Sequence, residues 1–231
     1  VRALILCGGR GVRSWPATAE VPKPMLRVGD RPVLHHVMEI YARHGITQFV
    51  LAAGYRQEVI AESLHTLPAA WDVRLVDTGA DTDTGDRMRS CLEEVGDRFV
   101  ATYGDGLGDI DVTLLLKRHE SHGRGATVTA VPLPSQFGTL VVDGEDRVEQ
   151  FREKPVLDDH IINAGFFVFD REPFSRCSGS SLERDILPAL ASSGELFVYR
   201  HNGFWKSMDT YKDVIELDQL ARGKEPPWLP G

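Results

Sequence analysis

The chain has 231 residues, 42% hydrophobic and 26% charged, the composition of an ordinary globular domain able to bury a substantial core. Its formal net charge of −8 argues against a non-specific nucleic-acid binder, which gathers Lys and Arg against phosphates, but leaves room for a local positive cluster around one anionic ligand. The apolar run at residues 3–7 is too short for a membrane span and lacks the flanks of a signal peptide, so a cytoplasmic protein without a membrane partner is expected.

In chain order, short β-branched apolar runs predict strands over residues 3–7, 48–53, 73–76, 98–103, 126–132, 138–142, 162–169 and 196–200. Helical patterns fall at 32–44, 56–65, 85–95, 111–122, 181–192 and 209–221. In the first of these, Pro32 suits a helix's first turn, Val33, Val37, Ile40 and Tyr41 form one apolar stripe, and Gly45 closes it. Strand and helix alternate through the first half, which implies parallel pairing, while the second half is richer in strands. The expected fold class is α/β: a Rossmann-like core with a mixed central sheet and a small lobe grafted on its later half, all in a single domain. The tail, residues 224–231, carries three prolines and reads as a loosely held end. Cys7, Cys91 and Cys177 are widely spaced and odd in number, which suits free buried thiols rather than a disulfide framework.

Candidate chemistry begins directly after the first strand, with Gly8, Gly9, Arg10, Gly11, Val12 and Arg13, followed by Pro22, Lys23, Pro24 and Met25. Glycines there let the backbone approach a ligand and aim N–H groups at phosphate oxygens. The spacing is neither that of a dinucleotide fingerprint nor that of a P-loop. A loop carrying Arg13 and Lys23 is also more basic than a pyrophosphate diester requires, and suits a triphosphate whose charge rises during reaction. The bland alternative is a tight turn with solvated arginines.

Two aspartates stand out. Asp105, between Gly104 and Gly106 at the end of a predicted strand, is placed either to hold Mg2+ or simply to form an Asp-Gly turn. Asp209 precedes the last predicted helix, where an N-cap is the alternative to a ligand. Farther back, Glu153 and Lys154 form either a solvated surface pair or an acceptor and a point charge for a hydroxylated anionic ligand.

The run Leu6-Cys7-Gly8-Gly9-Arg10-Gly11-Val12-Arg13 with Pro22-Lys23-Pro24 resembles the signature of sugar nucleotidyltransferases, and Glu153-Lys154-Pro155 resembles their E-K-P motif. Val12 stands where that family usually has Thr. The resemblance implies a nucleotide-binding part at about residues 1–125, with Leu6, Gly8, Gly9, Gly11, Val12, Arg13, Lys23, Tyr103 and Gly104 at the nucleotide, and Arg13 and Lys23 acting in catalysis. It implies a sugar-phosphate part at about 126–210, with Gly138, Glu153, Lys154 and Asn163 at the sugar phosphate, and a C-terminal helix and tail at 209–231. It assigns Asp105 and Asp209 to Mg2+, and a homo-oligomer is expected on the same ground.

Several further segments are similar to the glucose-1-phosphate cytidylyltransferase branch. They include Thr84-Gly85-Asp86-Arg87, residues 162–167, and Gly203-Phe204-Trp205 through Met208-Asp209-Thr210. From them Thr84, Gly85 and Arg87 become candidates beside the base. Asp86 replaces a usual glycine, and the stretch from Tyr55 to Leu75 is shorter than the branch normally has. The implied partners are a nucleoside triphosphate, CTP favoured, and a sugar 1-phosphate. The readings from other classes are a nucleotide-sugar sensor that keeps the pocket without catalysis, and an NAD-dependent oxidoreductase supported by the glycine loop alone.

Overall fold

The computed structural model describes residues 1–11, 18, 20–223 and 225–229. Its elements in chain order begin with β1 (Ala3–Leu6), a 3-10 turn (Lys23–Met25), β2 (Arg27–Val28), β3 (Arg31–Pro32), α1 (Val33–Ala42), β4 (Gln48–Ala53), α2 (Gln57–Ser63) and β5 (Asp72–Asp77). They continue with α3 (Thr84–Arg89), β6 (Arg98–Tyr103), β7 (Gly106–Gly108), α4 (Val112–His122), β8 (Ala126–Pro134), β9 (Thr139–Val142), β10 (Val148–Arg152) and β11 (Val156–Asp170). The remainder is α5 (Arg171–Arg176), a π-helical turn (Leu182–Ile186), α6 (Leu187–Ser192), β12 (Leu196–Arg200), β13 (Trp205–Ser207) and α7 (Tyr211–Ala221).

Seven strands form one mixed sheet in the order β12, β8, β11, β6, β1, β4, β5. Neighbours are parallel except β11, which runs antiparallel to both β6 and β8. This is the expected Rossmann-like α/β core with a mixed central sheet. The order reverses between β1 and β6, because the chain builds β4 and β5 on one side of β1 before returning to lay β6 on the other. Open α/β sheets bind ligands at the carboxyl ends of the strands flanking such a reversal.

The inner strands are apolar on both faces because helices cover both. Ile5, Leu51, Val100 and Phe166 bury against one layer that includes Leu34, Met38 and Tyr41 of α1 and Leu217 of α7. Leu4, Val50, Phe99 and Phe167 bury against the other, which includes Met88 of α3, Phe174 of α5 and Leu190 of α6. Among the described residues no helix is long and apolar enough to cross a membrane.

Four expectations change in detail, the first being the tail: Trp228 is 1% exposed, packs in the core and donates from Nε1 to His36 Nδ1 at 3.2 Å, so its described residues are held down by a large apolar side chain. The helix read over 85–95 stops at Arg89 and continues as turns. The one read over 181–192 opens with the π turn, and Ile186 hands over to α6 with Pro188 near its start. Pro32 lies just outside α1 with an extended ψ of 148°, so it caps the helix rather than filling its first turn. The cysteines are free; Cys7 and Cys91 are buried and Cys177 is half-buried. Burial pushes the Cys7 and Cys91 thiols up to about 12, which leaves them protonated and inert at neutral pH.

Candidate active site

A cleft of about 550 Å3 opens at the carboxyl ends of β1 and β6, within the usual range for small-molecule sites. The glycine loop forms one wall: Leu6, Gly8, Gly9 and Gly11 all line it. Gly11 has φ of +61°, a left-handed conformation that disfavours side chains, and a Cβ there would lie 2.9 Å from the Lys23 Cβ. The loop therefore packs against the stem of Lys23. Val12 and Arg13 lie outside the described residues.

Lys23 sits in a 3-10 turn between Pro22 and Pro24, closed by hydrogen bonds from the Met25 and Leu26 N–H groups to the Pro22 and Lys23 carbonyls. Its side chain is 10% exposed, and its Nζ lies 2.5 Å from Asp105 Oδ2 and 3.3 Å from Asp209 Oδ1. These three residues come from distant segments. Asp105 follows β6, and the short antiparallel pair of β7 with β13 sets Gly106 opposite Ser207. That pairing, with the Met208 N–H donating to the Asp105 carbonyl at 2.9 Å, carries Asp209 to the same point. Ser207 Oγ donates to Asp209 Oδ2 at 2.7 Å and orients the carboxylate.

The alternative role for Asp209 falls to its neighbour. Thr210 caps α7 in a reciprocal capping box with Asp213, so the Asp209 carboxylate is directed at Lys23 instead of the helix.

The opposite wall joins both halves of the chain. Tyr103 packs against Gly165, whose φ is +79° and where a Cβ would lie 2.5 Å from the ring. The Tyr103 hydroxyl donates to Glu183 Oε1, and burial together with that carboxylate pushes the phenol well above its ordinary value. Thr84 Oγ1 donates to Glu183 Oε2 at 2.7 Å and accepts from the Leu182 N–H at 2.9 Å. Asn163 Oδ1 accepts from the Gly165 N–H at 2.8 Å, which holds Asn163 in the cleft wall.

Arg87 lines the cleft but is itself 3% exposed. Its guanidinium donates to the Ala53 carbonyl at 3.0 Å, the Thr82 carbonyl at 2.9 Å and Thr78 Oγ1, which ties the end of β4 to the loop before α3. Its visible work is to brace the wall. Arg87→Met should therefore lower stability by about 2–4 kcal/mol, because buried carbonyls lose their donors. Urea denaturation monitored by circular dichroism checks this, and an unchanged midpoint would show that the brace is dispensable.

Among the described residues, then, Leu6, Gly8, Gly9, Gly11, Lys23, Thr84, Arg87, Tyr103, Gly104, Asp105, Asn163 and Asp209 come together in one cleft. Gly85 stands behind it, packed on the Ser180 carbonyl and Ile186. Gly138, Glu153 and Lys154 are not among the lining residues. They belong to the β9–β10 hairpin region, outside the main sheet, where Glu153 and Lys154 are 65% and 58% exposed and their charges 3.9 Å apart. Sequence reasoning missed Glu183, Trp205 and Ser207. Trp205 Nε1 donates to the Ala164 carbonyl at 2.8 Å and fixes the floor.

Among the described lining residues, four carboxylates (Asp83, Asp105, Glu183, Asp209) face two cations (Lys23, Arg87). A polyphosphate entering this surface needs added positive charge, and two convergent aspartates suit a hard divalent cation completed by phosphate and water oxygens.

With this geometry in place, the comparisons with known proteins decide the family. The nucleotidyl transferase family model matches residues 2–222. The chain belongs to the sugar-phosphate nucleotidyltransferases. It is 36% identical to the glucose-1-phosphate cytidylyltransferase of Salmonella typhi over 99% of this chain and 98% of that protein. It is 30% identical to the mannose-1-phosphate guanylyltransferase catalytic subunit beta of Xenopus tropicalis, over 99% of this chain and 68% of that one. The crystal structure of HddC from Yersinia pseudotuberculosis superposes with a TM-score of 0.76 at 21% identity, covering 94% of this chain and 98% of that chain, a likeness of fold. The nucleotidyltransferase is thus an enzyme that transfers a nucleotidyl group to a sugar 1-phosphate.

Proposed function

We propose that the enzyme transfers CMP from CTP to glucose 1-phosphate in a Mg2+-dependent reaction, giving CDP-glucose and pyrophosphate. The convergence of Lys23, Asp105 and Asp209 at the reversal of strand order carries the chemical part of this reading. The identity to the Salmonella typhi enzyme supports the choice of base and sugar.

A sugar-phosphate oxygen attacks the α-phosphorus, the bond to the bridging oxygen of the β-phosphate breaks, and pyrophosphate leaves with that electron pair. The nucleophile is already anionic, so no general base is required, and catalysis consists of alignment and charge neutralisation. The N–H groups of the glycine loop, with Arg13, bind the triphosphate. Lys23 meets charge that builds at the α-phosphorus and on the departing oxygen. Asp105 and Asp209 would hold Mg2+, which when bound supplies charge neutralisation on the phosphates. Thr84 and the wall braced by Arg87 border the nucleotide. Tyr103 stays with the nucleotide side and Asn163 borders the sugar, while Glu153 and Lys154 remain sugar-side candidates on their motif.

The exposed apolar side chains of the β9–β10 hairpin and of Phe137 just before it, with Phe137 and Phe151 78% and 62% exposed, support a homo-oligomer. A cytoplasmic location fits this reading, because both substrates are water-soluble anions.

A matrix of five nucleoside triphosphates against several sugar 1-phosphates, scored by pyrophosphate release, tests the reading. CTP with glucose 1-phosphate should rank first, with GTP and mannose 1-phosphate the instructive rival. CTP ranking below two other triphosphates would overturn the base assignment. Absence of release with every pair would favour a nucleotide-sugar sensor.

A further inference from the structure

The two aspartates proposed for the metal are both already engaged by one side chain. Lys23 Nζ lies 2.5 Å from Asp105 Oδ2 and 3.3 Å from Asp209 Oδ1. Mg2+ takes its oxygens at about 2.0–2.1 Å, so a divalent cation shared by these carboxylates and an ammonium held this close to them crowd the same small volume. Like charges at that separation, in a site where the lysine is only 10% exposed, repel strongly. One of the two must yield.

The backbone of Lys23 cannot be the part that moves easily. It is fixed between two prolines and closed by two main-chain hydrogen bonds. The side chain, with four rotatable bonds and a point charge that accepts any anionic partner, can redirect its end without disturbing the fold. Its stem runs beside Gly11, the turn that faces the cleft with the rest of the glycine loop. A nearby phosphate therefore offers the ammonium an exchange of partner at little cost in geometry.

On the metal reading above, we infer that Lys23 is an exchangeable counter-ion: its ammonium competes with the divalent cation for Asp105 and Asp209, and nucleotide phosphates, by taking the ammonium, admit the metal. The consequence is an order of events built into one side chain. Metal alone binds weakly, and the acidic pair becomes available when the polyphosphate arrives.

The test measures Mn2+ binding without nucleotide, by electron paramagnetic resonance of the free ion, in the wild type, Lys23→Met, Asp105→Asn and the double variant. Methionine keeps much of the stem's volume and removes the charge. Lys23→Met should bind Mn2+ at least about tenfold more tightly than the wild type, and the gain should vanish in the double variant. A Lys23→Met affinity within roughly twofold of the wild type, with binding still lost in Asp105→Asn, would overturn the exchange while leaving the metal site standing. Binding that ignores Asp105→Asn would remove the metal site and the exchange together. A second readout needs no variant: acetylation of Lys23 in the wild type, followed by mass spectrometry, should accelerate several-fold at saturating Mn2+. An unchanged rate would overturn the exchange even if Lys23→Met did not fold.

Discussion

Asp105→Asn should reduce kcat by at least about 10²-fold at saturating substrates and Mg2+, with the fold intact. Asparagine keeps the size and one carbonyl oxygen of the aspartate but removes the charge that both Lys23 and a divalent cation require. The structural cost is small, because Lys23 Nζ retains Asp209 Oδ1 at 3.3 Å and the Met208 N–H donates to the Asp105 main chain, which the substitution leaves in place. The melting temperature should stay within about 4 °C of the wild type, the shift that roughly 1 kcal/mol produces in a domain of this size. Pyrophosphate release against Mg2+ concentration and a thermal scan measure the two quantities independently. Near-normal turnover with an unchanged melting temperature would take Asp105 out of the site. Loss of both would make its role structural.

How much of this was legible follows from where the information lies along the chain. The alternation of residues 3–7, 48–53, 73–76 and 98–103 with helical stripes is local, and it suffices for a parallel core because the inner strands, β1, β4 and β6, are buried on both faces while β5 closes the edge. The short β7–β13 pair is not local. Its strands have three residues each, too few to show a period, yet their pairing delivers Asp209 to Asp105. Only tertiary structure reveals that register. Glu183 was invisible for another reason: a carboxylate in a helical run reads as a solvated face, and its place in the cleft depends on the π turn that opens before α6. Asp209 and Thr210 were both competent N-caps by residue type, and the capping box with Asp213 decided between them. Glu153 and Lys154 carry the reverse lesson. Their motif pointed to the sugar phosphate, whereas the fold sets them on an exposed hairpin, so their chemistry and their position are separate questions.

Lys23→Ala should lower kcat and kcat/KM together, by about 10²–10³, the usual consequence of losing one strong electrostatic stabiliser of developing charge. The expectation rests on place as well as charge. Lys23 is the lysine among the described lining residues, its turn is pinned by prolines, and it stands where the carboxyl ends of β1 and β6 bring the glycine loop and Asp105 together. Lys154→Ala is the informative comparison because it removes the same charge from the hairpin. If Lys154 grips the ground-state sugar phosphate, its loss should raise KM for that substrate and leave kcat and the nucleotide KM nearly unchanged. A general loss of attraction for anions would instead damage both variants alike and would weaken with added salt. Steady-state kinetics with each substrate varied in turn separates these outcomes. A Lys154→Ala enzyme with wild-type constants would locate sugar-phosphate binding within the cleft walls, near Asn163. A Lys23→Ala enzyme altered only in its sugar-phosphate KM would reverse the division of the cleft into a nucleotide side and a sugar side.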